Sequence, residues 1–213
     1  AVMDGVVMGG GMGVAQAGPG NRLRIVTGRT RMAMPEVNIG LFPDVGGSYF
    51  LSRLAGRLGL YLGLTGLTIN AADALYTGLA DVYLPEAQMG ALLALFDSTP
   101  GEALPVAIKA LAAPFQAEAG ASPLATARTA LDRHFGAPSV AAIMASLAQD
   151  DSAFAGKALA AMRLRSPLMM SVTLELLQRG AHLGVADCLR LERSVVRHNF
   201  AHGEVLEGVR ALV

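Results

Sequence analysis

The stretch that decides the fold runs from residue 1 to residue 17 and reads AVMDGVVMGGGMGVAQA. Ala1–Met3 and Val6–Met8 have the length and composition of short strands, and Asp4-Gly5 between them is a typical turn dipeptide. A run of three glycines, Gly9–Gly11, follows at once and leads into a segment with helical character. The stretch therefore predicts a strand that passes directly into a helix across a glycine turn.

The glycine turn is a candidate binding loop. Without a Cβ, the backbone of Gly9, Gly10 and Gly11 can approach a ligand closely and direct N–H groups at a developing negative charge. A tight turn that serves only close packing is the alternative. The turn is neither a phosphate-binding P-loop nor a dinucleotide fingerprint. No Gly-Lys-Ser/Thr follows it, and no acidic residue ends a second strand at the required distance.

Residues 33–51, AMPEVNIGLFPDVGGSYFL, contain two carboxylates in an apolar loop. Glu36 and Asp44 have apolar neighbours, so we expect both to be half-buried. Burial and proximity can separate the pKa values of two carboxyl groups, as acid–base or nucleophilic catalysis requires. The eight-residue spacing does not establish that the two groups meet. Each could instead be a turn residue, with Asp44 as a cap for the helix near Gly47.

Composition and charge exclude several classes of protein. The 213 residues are 53% hydrophobic and 16% charged, and 17 basic residues balance 17 acidic ones. Binders of nucleic acid or of anionic membranes normally carry a basic excess, so we expect neither partner. The single cysteine, Cys188, excludes an internal disulfide and fits a cytoplasmic setting. The four histidines lack a third ligand at metal-binding spacing, so we expect solvated histidines and no metal.

The composition changes near residue 98. Residues 1–97 are rich in glycine and form the predicted core region, with the glycine turn and the carboxylate loop. Residues 98–213 are rich in alanine and leucine and form a predicted helical C-terminal region. Helices are expected there at residues 101–111, 123–134, 139–149, 151–164, 167–179, 185–200 and 203–211.

Two blocks of motif together resemble the crotonase superfamily, and within it the 3-hydroxyisobutyryl-CoA hydrolase branch. The blocks are Met3–Gly13, and Ala33–Glu36 continued by Gly40–Leu51; Ser166-Pro167, Leu191-Glu192 and Glu207–Leu212 add weaker support. The resemblance implies an α/β fold of ββα units that precedes a mostly helical C-terminal region. It also implies an acyl-CoA substrate, with coenzyme A as part of that substrate and no separate cofactor.

The resemblance also assigns roles to individual residues. One of the two backbone N–H groups that hold the thioester carbonyl in such proteins maps onto Gly10, in the oxyanion hole. The catalytic acids map onto Glu36 and Asp44, and Asp44 stands where hydratases usually have glycine. Gly13 stands where hydratases usually carry a catalytic glutamate. Substrate contacts are expected from Gly9, Gly11, Gly13, Gly40 and Phe42.

These assignments favour an acyl-CoA thioester hydrolase of the 3-hydroxyisobutyryl-CoA type, an enzyme of valine degradation, with Glu36 as nucleophile or general base. An enoyl-CoA hydratase or isomerase of the same fold is the first alternative. A catalytically incomplete fragment that serves as an association module is the second. The family's other oxyanion donor lies in an N-terminal segment that these residues do not include. We therefore expect a chain truncated at both ends and a poor enzyme by itself, and its assembly into a homo-oligomer is left open.

Overall fold

The structure is a computed structural model, and it describes residues 1–18 and 22–212. These residues form two compact units, each assembled from three segments of chain. The first unit comprises Ala1–Val7, Ala15–Met32 and Ile69–Thr126, and the second comprises Met8–Val14, Ala33–Thr68 and Ala127–Val213. The boundaries of these units differ from the change in composition near residue 98. The division into regions 1–97 and 98–213 therefore stays a prediction.

Short strands are confined to the first part of the chain, and helices dominate the rest. The strands are β1 (Val2–Met3), β2 (Val6–Met8), β3 (Ile25–Val26), β4 (Arg31–Ala33) and β5 (Val82–Tyr83). The helices are α1 (Gly10–Gln16), α2 (Gly47–Phe50), α3 (Leu58–Thr65), α4 (Ala71–Thr77), α5 (Met89–Ser98), α6 (Leu104–Ala112), α7 (Pro123–Phe135), α8 (Val140–Ala148), α9 (Ala153–Met162), α10 (Pro167–Gly180), α11 (Val185–His202) and α12 (Glu204–Leu212). An α/β core followed by a helical region is thereby confirmed, and the seven helices expected after residue 98 are α6 to α12.

A parallel sheet forms the centre of the first unit. Its strand order is β1-β3-β5, with Val2 opposite Ile25 and Ile25 opposite Val82. Parallel strands are usually covered on both faces, which explains why these are short apolar runs without polar alternation. Leu92 of α5 and Ile108 of α6 pack on the sheet and complete this core.

The turn at Asp4-Gly5 does not make a hairpin. β1 pairs with β3, whereas β2 pairs with β4 in a separate two-stranded sheet. Gly5 has a positive φ of 106°, and its carbonyl accepts the Arg31 N–H at 2.8 Å. The chain therefore changes from one sheet to another at this turn.

A buried aspartate in the first unit joins two helix N-termini. Asn70 caps α4 by accepting the Asp73 N–H at 2.9 Å. The Asp73 carboxylate is 5% exposed and accepts the Ser122 hydroxyl at 2.6 Å and the Leu124 N–H at 2.9 Å. This carboxylate thus fixes the start of α7, at a place remote in sequence from its own helix.

In the second unit, α10 packs closely against α2. A Cβ at Gly180 of α10 would lie only 2.2 Å from the carbonyl oxygen of Ser48, so the two backbones are in contact. The helix expected near Gly47 is α2, which is short because it passes into a 3-10 turn at Leu51–Arg53. This close approach fixes α2 and the loop that precedes it.

Candidate functional site

The glycine turn joins β2 to α1 as the sequence predicts. Gly9 has a left-handed φ of 52°, a conformation that favours glycine, and its N–H donates to the Ala33 carbonyl at 3.2 Å. Gly10 is the first residue of α1, where a backbone N–H has no acceptor within the helix. A Cβ built on Gly10 would have no neighbour within 4 Å, so the space beside it is open.

Glu36 lies directly against this turn. Its carboxyl Oε1 is 2.8 Å from the position that a Cβ on Gly9 would occupy, so a side chain there would displace this oxygen. Glu36 is 6% exposed, and its buried Oε2 has no hydrogen-bond partner. Burial, and to a smaller extent the charge of Asp44, raise the pKa of Glu36 to about 7. A carboxyl group with these properties is half ionised near neutral pH, which suits a nucleophile or a general base.

Glu36 and Asp44 both lie in the second unit, and the charge of Asp44 contributes less than burial to the raised pKa of Glu36. Asp44 is half-buried, and burial raises the pKa of its carboxyl group. The expectation that Asp44 caps a helix is wrong. The N-cap of α2 is Gly46, without a side-chain hydrogen bond, and Asp44 contributes only its carbonyl, which accepts the Gly47 N–H at 2.7 Å.

Two consecutive left-handed residues follow Asp44. Val45 has φ 50° and Gly46 has φ 89°. A β-branched residue in this region is an outlier that costs on the order of 1–3 kcal/mol. Gly13 of α1 lies beneath it, since a Cβ at Gly13 would be 2.6 Å from Val45 Cγ2 and 2.7 Å from its carbonyl oxygen. Gly13 therefore cannot be replaced by any larger residue without displacement of the strained turn.

A third carboxylate, Glu192 of α11, holds this turn from the other side. Its Oε2 accepts the Gly46 N–H at 2.9 Å, and its Oε1 accepts the Ser48 N–H at 2.9 Å and the Ser48 hydroxyl at 2.5 Å. Glu192 is 3% exposed. Sequence reasoning included it only as part of a resemblance. Its position four residues after the buried Cys188, on the inward face of α11, is the signal that could have identified it.

The other predicted substrate contacts divide into two groups. Gly10 and Gly11 are exposed at the turn, and Gly9 is half-buried beside them. Gly40 and Phe42 do not lie at the turn. A Cβ at Gly40 would be 2.4 Å from the Glu204 carbonyl oxygen, and Phe42 is fully buried in an apolar cluster with Val37, Met169 and Leu176. Packing thus accounts for both, and their contact with substrate stays a prediction.

One histidine departs from the expectation that all are solvated. His134 is 2% exposed, with Nδ1 2.7 Å from Ser146 Oγ and Nε2 2.9 Å from Asp150 Oδ2. Asp150 also accepts the Ser152 N–H at the start of α9. This network ties α7 to α8 and α9, and it is not part of the candidate site.

Two further properties concern the part of the chain that the structure describes. Within residues 1–18 and 22–212, no three His, Cys, Asp or Glu side chains are grouped so that they could hold a metal ion. None of the helices described there is both long and apolar enough to cross a membrane.

Comparison with solved structures shows the fold. A carnitinyl-CoA dehydratase from Mycobacterium thermoresistibile matches 99% of this chain and 59% of its own, at 39% identity and a TM-score of 0.86. An enoyl-CoA hydratase from Rhodobacter sphaeroides 2.4.1 matches 100% of this chain and 59% of its own, at 36% identity and a TM-score of 0.78.

Comparison of sequences finds relatives that are named as hydrolases, whereas the two solved structures are named as a dehydratase and a hydratase. The mitochondrial 3-hydroxyisobutyryl-CoA hydrolase of Xenopus laevis is 33% identical over 217 residues, and 3-hydroxyisobutyryl-CoA hydrolase 1 of Arabidopsis thaliana is 36% identical over 222. Both matches cover the whole of this chain but only 56% and 58% of the relatives, so the chain spans little more than half their length. The family model described as enoyl-CoA hydratase/isomerase matches residues 1–213. The resemblance is thus confirmed: the chain belongs to the enoyl-CoA hydratase/isomerase family and has the crotonase fold.

Proposed function

We propose that this chain carries the catalytic acids of an acyl-CoA thioester hydrolase that acts on 3-hydroxyisobutyryl-CoA or a close short-chain analogue. The observation that carries the proposal is buried Glu36 against the glycine turn, with a pKa of about 7 to which the charge of Asp44 contributes. The names of the Xenopus laevis and Arabidopsis thaliana relatives support the same activity.

The open space beside Gly10 suits the thioester carbonyl, because the Gly10 N–H can donate to the oxygen as negative charge develops. In the nucleophilic route, Glu36 attacks the carbonyl carbon, the C–S bond breaks, and the thiolate takes up a proton. Water then hydrolyses the mixed anhydride and restores Glu36. In the general-base route, Glu36 instead takes the proton from an attacking water. A thiol with a pKa near 8.5 leaves readily, so oxyanion stabilisation matters more than a strong acid.

In the hydrolase, Asp44 accepts a hydrogen bond from the hydroxyl group of the substrate, or it supplies the proton that the departing thiolate takes up. Asp44 lies at the start of the strained turn and does not cap α2, and its charge contributes to the raised pKa of Glu36. A substrate hydroxyl that donates to Asp44 would explain a preference for hydroxylated acyl groups.

A hydratase of the same fold is the second candidate, and the names of the two solved structures favour it. The obstacle is Gly13. The family resemblance expects a second catalytic glutamate of a hydratase at this position, yet Val45 leaves no room for a Cβ there. A hydratase built on this chain would have to rely on Glu36 and Asp44 alone.

One pair of assays separates the candidates. Thiol release is measured with 3-hydroxyisobutyryl-CoA, and loss of the conjugated double bond is measured with a short enoyl-CoA. We expect thiol release that falls by at least about 10²–10³ in Glu36→Gln, because a neutral amide replaces the nucleophile or base. Water addition to the enoyl-CoA without thiol release would overturn the hydrolase in favour of the hydratase.

Coenzyme A enters this proposal as part of the substrate, and no metal or redox group takes part. Exhaustive chelation should therefore leave thiol release unchanged, and a metal-dependent recovery of activity would contradict this. A cytoplasmic location stays a prediction. Fractionation of cells that make the whole protein would test it, particularly since the Xenopus laevis relative is named as mitochondrial.

A further inference from the structure

The loop that carries Asp44 is held by a side chain from another element, Glu192 of α11. Glu192 spans the two ends of the segment 46–48 with its two oxygens, one on the Gly46 N–H and the other on the Ser48 N–H and hydroxyl. All three donors belong to the N-terminal end of α2. Three donors on the two oxygens of one buried side chain fix the segment at both of its ends.

The segment needs such a contact because its backbone is strained. Val45 is left-handed at φ 50°, and a free chain would relax this residue to an extended or right-handed conformation. Relaxation would rotate the peptide between Asp44 and Val45 and move the Asp44 side chain. Strained residues persist only where surrounding contacts over-determine them, and Glu192 and Gly13 supply contacts on either side of Val45.

We propose that Glu192 is a positioning residue, which fixes Asp44 for its role with Glu36 by holding the left-handed Val45-Gly46 turn. This role rests on the proposed hydrolase function, because the placement of Asp44 matters for turnover only if the two acids form the active site. The hydrogen bonds of Glu192 run to Gly46 and Ser48.

Two variants of Glu192 separate its position from its charge. Glu192→Gln keeps the size of the side chain, but its amide nitrogen cannot accept a hydrogen bond from a backbone N–H. Glu192→Asp keeps the charge but is one methylene shorter, so its carboxylate cannot reach both Gly46 and Ser48. Asp73→Asn is the matched control, since Asp73 is also a buried carboxylate that accepts a serine hydroxyl and a backbone N–H, but in the first unit.

The readout is the titration of the Glu36 carboxyl carbon by NMR, assigned with Glu36→Gln, together with kcat and KM for thiol release. Both Glu192 variants should lower the Glu36 midpoint by about one unit, because Asp44 moves away and water enters. Their kcat should fall at least about 10-fold while KM changes little, as expected for a misplaced reacting group. Asp73→Asn should lower the melting temperature but leave the midpoint and kcat unchanged.

Folded Glu192 variants with an unchanged midpoint would overturn the proposal, and so would an equal shift in Asp73→Asn. A shift in Glu192→Gln but not in Glu192→Asp would assign the effect to charge and would also overturn it. If neither Glu192 variant folds, Ser48→Ala is measured instead, because it removes one of the three donors. A smaller decrease of the Glu36 midpoint would support the proposal, and an unchanged midpoint would overturn it. Shifted midpoints in the whole protein, if it releases no thiol, would support the positioning role and reject the hydrolase.

Discussion

At the scale of single residues, the Glu36 carboxyl group is the most perturbed group of the candidate site. It lies out of water with Oε2 unpaired, against a glycine whose missing side chain gives it room. Its raised pKa makes the stability of the protein depend on pH, because the folded chain binds this proton more tightly than the unfolded chain does.

Glu36 should therefore destabilise the protein as the pH rises. Between its ordinary pKa and about 7, the folded state binds more protons than the unfolded state, so the free energy of unfolding falls with pH in this window. At about pH 8, Glu36→Gln should be more stable than the parent by on the order of 3 kcal/mol, and near pH 4 the two should be equal. Urea unfolding at both pH values measures this. A difference that is independent of pH would contradict the shifted pKa.

Asp44→Asn should act on Glu36 through charge. Loss of the Asp44 charge removes one of the causes that raise the pKa of Glu36, so the acid limb of the kcat/KM profile should move to lower pH. Thiol release should also fall, and more for hydroxylated acyl groups than for plain ones. Comparison of 3-hydroxyisobutyryl-CoA with isobutyryl-CoA measures this preference. Equal losses for both substrates would argue against a contact between Asp44 and the hydroxyl group.

Gly10→Ala should separate stability from activity. Nothing lies within 4 Å of a Cβ at this position, and alanine favours a helix, so the free energy of unfolding should be unchanged or slightly higher. Thiol release should nevertheless fall, by up to about 3 kcal/mol in kcat/KM, if the methyl group displaces the thioester from the Gly10 N–H. If Gly10→Ala kept the kcat/KM of the parent, the thioester carbonyl would not bind at the Gly10 N–H.

At the scale of elements, α1 and the Val45-Gly46 turn fit each other through Gly13. Gly13→Ala should force the Val45 backbone to move, and we expect a loss of stability of about 1–3 kcal/mol with a loss of thiol release. Gly90→Ala in α5 is the control, because its Cβ meets nothing within 4 Å on an exposed helix face. That change should stabilise the protein by about 0.5–1 kcal/mol. Thermal unfolding of both variants gives the comparison, and a harmless Gly13→Ala would disprove the close contact.

Local signals predicted the helices well, because the residues that begin and end them are adjacent in sequence. Ser166 caps α10 by accepting the Met169 N–H at 3.0 Å, and Pro167 is its first residue, as the sequence predicts. Strand partners were not predictable in this way. β1 pairs with a strand that begins at Ile25, and β3 pairs with one that begins at Val82. Parallel pairing depends on the packing of helices between the strands, which no local pattern encodes.

At the scale of the whole molecule, the site could be predicted in part. Glu36, Asp44 and the glycine turn lie within 36 residues of one another in sequence, and the motif carries them together. Glu192 is 146 residues from Gly46, and a glutamate in a helix gives no indication of a partner so distant. The burial of His134 was not predictable from the sequence either. Its partners Ser146 and Asp150 are 12 and 16 residues away and approach it only through the packing of helices.

The distance between Glu192 and its partners has a consequence for how the protein is made. When the chain has been synthesised as far as α10, it contains the glycine turn, both acids and α2. It does not yet contain Glu192, which fixes the loop that carries Asp44. Domains generally fold from the N-terminus as they emerge, so these residues can pack before α11 exists. A nascent or proteolytically shortened chain would then hold the reactive groups without their final arrangement. Only a chain synthesised through α11 can have the complete geometry of the site.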